Sequence, residues 1–185
     1  MGHPTPILLI TRPEPGASAF ADRCRSELPG VNLLLAPLQR LDIIKTVDDL
    51  GAASGVIFSS ATAVQSVKRS ALHPVPAYCV GPKTADAARA AGFAPQVMGE
   101  DADTLVAALM DARPQTPLLH PHGVHVRGDV AARLTAAGIE TRDVAVYDQR
   151  AVPAEDAFRQ ALRQAGVIVP LFSPRSAELF AAEAG

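Results

Sequence analysis

Three helix-like runs in this chain end the same way, and no other feature constrains the fold so much. "AAGF" (90 to 93), "AAGI" (136 to 139) and "QAGV" (164 to 167) each place a glycine after an alanine-bearing stretch and an apolar residue after the glycine. Glycine supplies the left-handed residue that closes a helix, and the apolar residue opens the next strand. Around these exits the alternation is regular. Strands are predicted near 55–59, 76–80, 94–97, 116–120 and 140–147, with helices near 61–70, 82–91, 101–111 and 128–137. Repeated strand–helix units of this kind imply α/β architecture, a parallel sheet covered by helices on both faces.

The N-terminal part adds a strand at "PILLIT" (6 to 11) and a helix at 17–28, where Ala17, Phe20, Ala21, Cys24 and Leu28 share one stripe. Two extended runs follow, 31–36 and 38–44, separated only by Pro37. A parallel neighbour in the same sheet needs a crossover of about a dozen residues, so these two strands belong to different sheets. After "VYDQRAVP" (146 to 153) come a helix at 154–165 and a strand at 167–172. The economical arrangement is a discontinuous first domain, residues 1–36 plus 150–185, with a second domain, 38–148, inserted in it. Two extended crossings would form the hinge.

Composition excludes several function classes. The 185 residues are 48% hydrophobic and 19% charged with net charge −2, and the basic residues are dispersed, which speaks against nucleic-acid binding. "ILLI" (7 to 10) is too short for a signal peptide core or a membrane span, so a cytoplasmic location is expected. Cys24 and Cys79 lack metal or redox spacing and read as buried thiols. Neither G-x-G-x-x-G, nor a P-loop, nor a G-x-S-x-G elbow is present. His120, His122 and His125 fall within six residues, but Pro121 and Gly123 interrupt them; they read as loop histidines near anions rather than metal ligands.

Ligands of open parallel sheets bind outside the carboxyl ends of the strands. Here those ends carry Thr11-Arg12, Ser59-Ser60, Gly81-Pro82-Lys83-Thr84, the "HPHGVHVRGD" segment (120 to 129) and Ser173-Pro174-Arg175-Ser176. Each serine or threonine has an ordinary reading as a helix N-cap. Taken together, the corners present uncommitted N–H groups suited to a ligand with several anionic arms.

In order along the chain, "LLITRPEP", "PLQRLDI", "GVIFSSATAV", "YCVGPKTADAARAAGF", "ADTLVAAL", "GVHVRGDVAARLTAAGIETRDVAVYDQR" and "LFSPRSAELF" resemble the uroporphyrinogen-III synthase family. The resemblance implies two flavodoxin-like/Rossmann-like domains joined by a two-stranded hinge, with the substrate held between them. It implies a cofactor-free, metal-free, cytoplasmic, monomeric lyase of haem and other tetrapyrrole biosynthesis. The substrate would be hydroxymethylbilane, closed with loss of water and inversion of ring D. Tyr147, in "VAVYDQR", is then the catalytic candidate, with packing at the hinge as its ordinary alternative. Arg12, Ser60, Ala61, Gly81, Lys83, Thr84, Arg127, Ser173, Arg175 and Ser176 are the candidate substrate-binding residues. A non-catalytic module binding a tetrapyrrole or another polycarboxylate is the alternative function. Relatives continue past the position of Gly185, so the first domain, with strands at 6–11, 31–36 and 167–172, is expected to be incomplete or unusually small.

Overall fold

A computed structural model describes residues 6–68, 75–125 and 128–185. From the N-terminus run β1 (Ile7–Ile10), α1 (Gly16–Glu27), β2 (Asn32–Leu35), β3 (Gln39–Ile43), β4 (Gly55–Phe58), α2 (Ala61–Gln65), β5 (Pro76–Val80) and α3 (Gly81–Ala90). Then follow β6 (Ala94–Gly99), α4 (Ala102–Ala112), β7 (Leu118–Gly123), α5 (Val130–Ala136), β8 (Thr141–Ala151), α6 (Asp156–Leu162), β9 (Val167–Ile168) and α7 (Pro174–Ala184). The chain forms two compact units, Met1–Leu41 with Gln149–Gly185, and Asp42–Asp148. Among the described residues, no helix is long and apolar enough to cross a membrane.

The first unit is built on a parallel sheet of order β2-β1-β9. Successive side chains of β1 point to opposite faces. Leu8 and Ile10 pack on Ala17, Ala21 and Cys24 of α1, while Leu9 packs with Phe158 of α6 and Leu179 and Phe180 of α7. Helices therefore cover both faces, and each fully buried aliphatic side chain stabilises the unit by roughly 1.5–3 kcal/mol.

The other sheet has the order β3-β8-β7-β4-β5-β6; β4 to β7 lie wholly in the second unit, while β3 and β8 run across its bounds. Ile57 and Tyr78 face Leu105 and Leu109 of α4 and Leu134 of α5. The next residue, Phe58, meets Phe93 edge to face at 5.2 Å. Strands β4 to β8 are parallel. Strand β3 runs antiparallel to β8, because Ile44 N–H donates to Val146 O and Val152 N–H to Leu38 O, both at 3.0 Å. As the sequence predicts, β2 and β3 lie in different sheets.

Three elements differ from the sequence expectation. Strand β7 continues through His120, Pro121, His122 and Gly123, which the sequence places at a strand end and in a loop. Beyond Leu119 it pairs with β8 alone, so Pro121 occupies a one-sided position where its missing N–H is tolerated. Helix α2 ends at Gln65, and Val67 leaves it to bridge Val47, with Lys68 N–H donating to Val47 O at 2.9 Å. Residues 69 and 70 of the expected helix lie outside the described residues. Strand β9 pairs only over Val167 and Ile168; Pro170 has no N–H to continue the ladder.

Candidate functional site

Read outward from β4, the parallel strands of the second unit stand in the order β6-β5-β4-β7-β8. In the order of their appearance this is 3-2-1-4-5, the arrangement of a Rossmann-type sheet, in which crossovers leave β4 in opposite directions. The gap between the carboxyl ends of β4 and β7 is the topological switch point. Ser59 and Ser60 leave one side of it, and Gly123 leaves the other.

Ser60 is the N-cap of α2, its Oγ accepting from Thr62 N–H at 3.1 Å; Ala61 is the first helical residue. The capping reading of Ser60 is therefore satisfied locally. Ser59 Oγ lies 3.2 Å from His120 Nε2 across the switch point. Gly81 opens α3 with φ +70, a left-handed conformation that favours glycine. Among the described residues no side chain caps α3, its first turn holds no acidic residue, and Pro82 there brings no N–H. Such an end favours an anion. Thr84 is buried in that first turn, and Lys83 is exposed. Tyr147 sits opposite Gly123 in the β7–β8 ladder and is 9% exposed. Arg127 lies outside the described residues.

His120 and His122 are strand residues with protein partners, which corrects their assignment to a loop, whereas His125 lies past the strand end as the sequence predicts. His120 is 2% exposed, and burial, aided by the His122 ring beside it, pushes its pKa down to about 4, against a smaller opposing pull from Asp143. His122 reaches Gly123 O through Nδ1 at 2.7 Å and Asp143 through Nε2 at 3.3 Å. His125 Nε2 lies 3.5 Å from Asp148. Among the described residues no group of three potential ligands could hold a metal ion. A cavity of ≈ 320 Å³ opens beside α5, lined by His120, His122, Asp129 and Asp143 among others, but by none of Ser60, Gly81, Thr84 or Tyr147. The mixed acidic lining suits a polycarboxylate poorly, so the strand-end corners are the better site. Cys79 is buried, which raises its pKa to about 11, and Cys24 is a buried free thiol as well.

In the first unit, Ser173 caps α7, its Oγ accepting from Ser176 N–H at 3.1 Å and lying 2.9 Å from Ser176 Oγ. Ser176 is buried, and its hydroxyl also accepts from Gln39 Nε2 at 3.2 Å. Arg175 donates from Nη2 to Gln149 O at 2.8 Å, so one of its arms is committed to backbone. The Arg12 guanidinium lies 4.4 Å from the centroid of the Phe172 ring. Nε of Arg12, Nε of Arg175 and Oε1 of Gln39 are buried without a hydrogen-bond partner among the described residues. Buried polar groups normally find partners, so three open ones leave the first unit with unmet hydrogen-bonding capacity. Sequence reasoning brings Arg12, Ser173, Arg175 and Ser176 forward and misses Gln39. Its signal is a polar residue at the head of a strand of mixed polarity, "LQRLDI", which alone does not separate a buried amide from a solvated one.

Compared with known families, residues 26–185 match the family described as uroporphyrinogen-III synthase HemD, a stretch that leaves Arg12 outside. No curated protein matches the sequence. Among solved structures, the chain is similar to uroporphyrinogen-III synthetase from Helicobacter pylori, with TM-score 0.65 at 16% identity, over 97% of this chain and 78% of that one. It is also similar to a mutant uroporphyrinogen III synthase from Thermus thermophilus, with TM-score 0.52 at 13% identity, over 94% of this chain and 76% of that one.

Proposed function

The chain belongs to the uroporphyrinogen-III synthase family, enzymes of haem biosynthesis, and from that premise we propose that it acts as a cyclising lyase on hydroxymethylbilane. The observation that carries the reading is the family match across residues 26–185. In the reaction, the terminal hydroxyl leaves as water, ring D is inverted, and the macrocycle closes to uroporphyrinogen III. The bilane also closes unaided to the uninverted isomer, so the enzyme's task is to select which carbon of ring D attacks. Positioning a flexible polyanion meets that task better than strong acid–base groups do.

The residues suit positioning. Hydrogen bonds from N–H or hydroxyl groups to carboxylates contribute roughly 1.5–3 kcal/mol each. In the second unit, Ser60, Ala61 and the uncapped first turn from Gly81 through Lys83 to Thr84 are assigned to carboxylate arms, with Arg127 as a further cation. In the first unit, Arg12, Ser173, Arg175 and Ser176 take the same role, supported by the open Nε donors of both arginines. Tyr147 is assigned to the leaving hydroxyl, donating a hydrogen bond as the C–O bond breaks. The protein is taken to work in the cytoplasm as a monomer, without cofactor or nucleic acid.

Incubation with freshly prepared hydroxymethylbilane and chromatographic separation of the oxidised products tests this. The type III isomer should exceed the spontaneous type I isomer; type I alone would rule the activity out.

A further inference from the structure

The ladder between β7 and β8 slips by one residue near its carboxyl end. His122 pairs with Ala145, but Gly123 pairs with Tyr147, so β8 holds one extra residue, Val146. Such a bulge re-aims the side chains that follow it. This one is held from both sides. Val146 O accepts from Ile44 N–H at 3.0 Å and Lys45 N–H at 3.3 Å, and Tyr147 O accepts from Val124 N–H at 2.9 Å. On β7, the Gly123 carbonyl meets His122 Nδ1 at 2.7 Å. The outcome is close approach. A Cβ on Gly123 would stand 2.6 Å from Tyr147 Cε2, 2.7 Å from Cζ and 3.0 Å from the hydroxyl. Unlike Gly81, Gly123 has no left-handed φ, so its lack of a side chain answers to the ring beside it and not to its own backbone.

We propose that Gly123 is a positioning residue: its bare Cα is the seat of the Tyr147 phenol, and the β8 bulge sets that phenol over it. The role in turnover rests on the reading of Tyr147 as the group that assists the leaving hydroxyl. An alanine methyl at 123 forces the ring from its seat, because both backbones there are fixed by the hydrogen bonds just described.

Steady-state kinetics of type III formation for Gly123→Ala, Tyr147→Phe and the double variant test this. Gly123→Ala should lower kcat by about tenfold or more with KM changed by less than about twofold. In the Tyr147→Phe background the same change should move kcat by less than about twofold, since the two act through one hydroxyl. The chain has two tyrosines, so fluorotyrosine labelling gives two fluorine resonances, and Gly123→Ala should shift that of Tyr147 while Tyr78 holds still. If Gly123→Ala lowers Tm or fails to fold, adding Tyr147→Ala should restore the fold by removing the ring. Persistent unfolding in that pair, an unmoved Tyr147 resonance, or independent multiplication of the two kinetic losses would overturn the seat alone. A wild-type kcat for Tyr147→Phe would overturn the Tyr147 reading and the turnover role of Gly123 with it, leaving the synthase activity standing.

Discussion

His120 is the residue whose chemistry the fold changes most. The sequence shows three histidines in six residues but assigns them to a loop, because Pro121 and Gly123 are the usual punctuation of irregular chain. In the structure His120 is a buried strand residue sharing a hydrogen bond with Ser59. Its folded pKa, about 4, lies below the ordinary value of 6.5. On acidification the unfolded chain takes up a proton near 6.5 that the folded chain refuses until about 4. Stability is therefore complete above that window and falls as pH drops through it. At about 1.4 kcal/mol per pH unit, the loss between pH 6.5 and pH 5 approaches about 2 kcal/mol. Urea unfolding at pH 7 and pH 5 reads it, and His120→Asn should flatten the difference. An equally steep dependence in that variant would assign the loss to other groups.

At the scale of elements, the helix starts separate strain, capping and ligand binding. A Cβ at Gly81 would touch nothing within 4 Å, so Gly81→Ala costs only the left-handed backbone, about 1–2 kcal/mol, read as a lowered Tm. Ser173 caps α7, and Ser173→Ala should cost about 1 kcal/mol. Ser173→Asp separates the cap from the site. Aspartate caps as well as serine and suits the helix dipole, so Tm should hold. Its carboxylate would repel a substrate carboxylate at that turn, and KM should rise about tenfold, the equivalent of one charge-assisted hydrogen bond. An unchanged KM would leave Ser173 as a cap and nothing more. These corners are legible in the sequence because glycine, proline and serine act over one or two residues. Strand ends are less so. Residues 167–172 are apolar enough for a full strand, yet the ladder stops at Ile168 because Pro170 brings no donor. The bulge that pairs Gly123 with Tyr147 was not legible either, since it depends on which strand β8 lies beside.

For the whole molecule, the repeated helix exits fixed the α/β class, and the Pro37 break separated the sheets, both from local signals. Strand order came only with tertiary structure: the alternation is equally compatible with 2-1-3-4-5, and the choice of β4 as the central strand depends on long-range packing. The two units also differ in how completely their sheets are buried. In the second, Leu105, Leu109, Leu134 and Ile57 are fully buried between helices and a five-stranded parallel sheet edged by β3. In the first, β9 contributes two paired residues, and Ile168, Leu171 and Phe172 are between 42% and 54% exposed. Less apolar area removed from water means less stabilisation against the same entropy per ordered residue. The first unit should therefore melt at lower urea. The probes for this are built in: tryptophan is absent and both tyrosines, Tyr78 and Tyr147, lie in the second unit. Tyrosine emission then follows the second unit alone, while far-ultraviolet circular dichroism follows the helices of both. The dichroism should begin to fall at urea concentrations where tyrosine emission is still native. Coincident transitions would instead mean that the two cores unfold as one cooperative system.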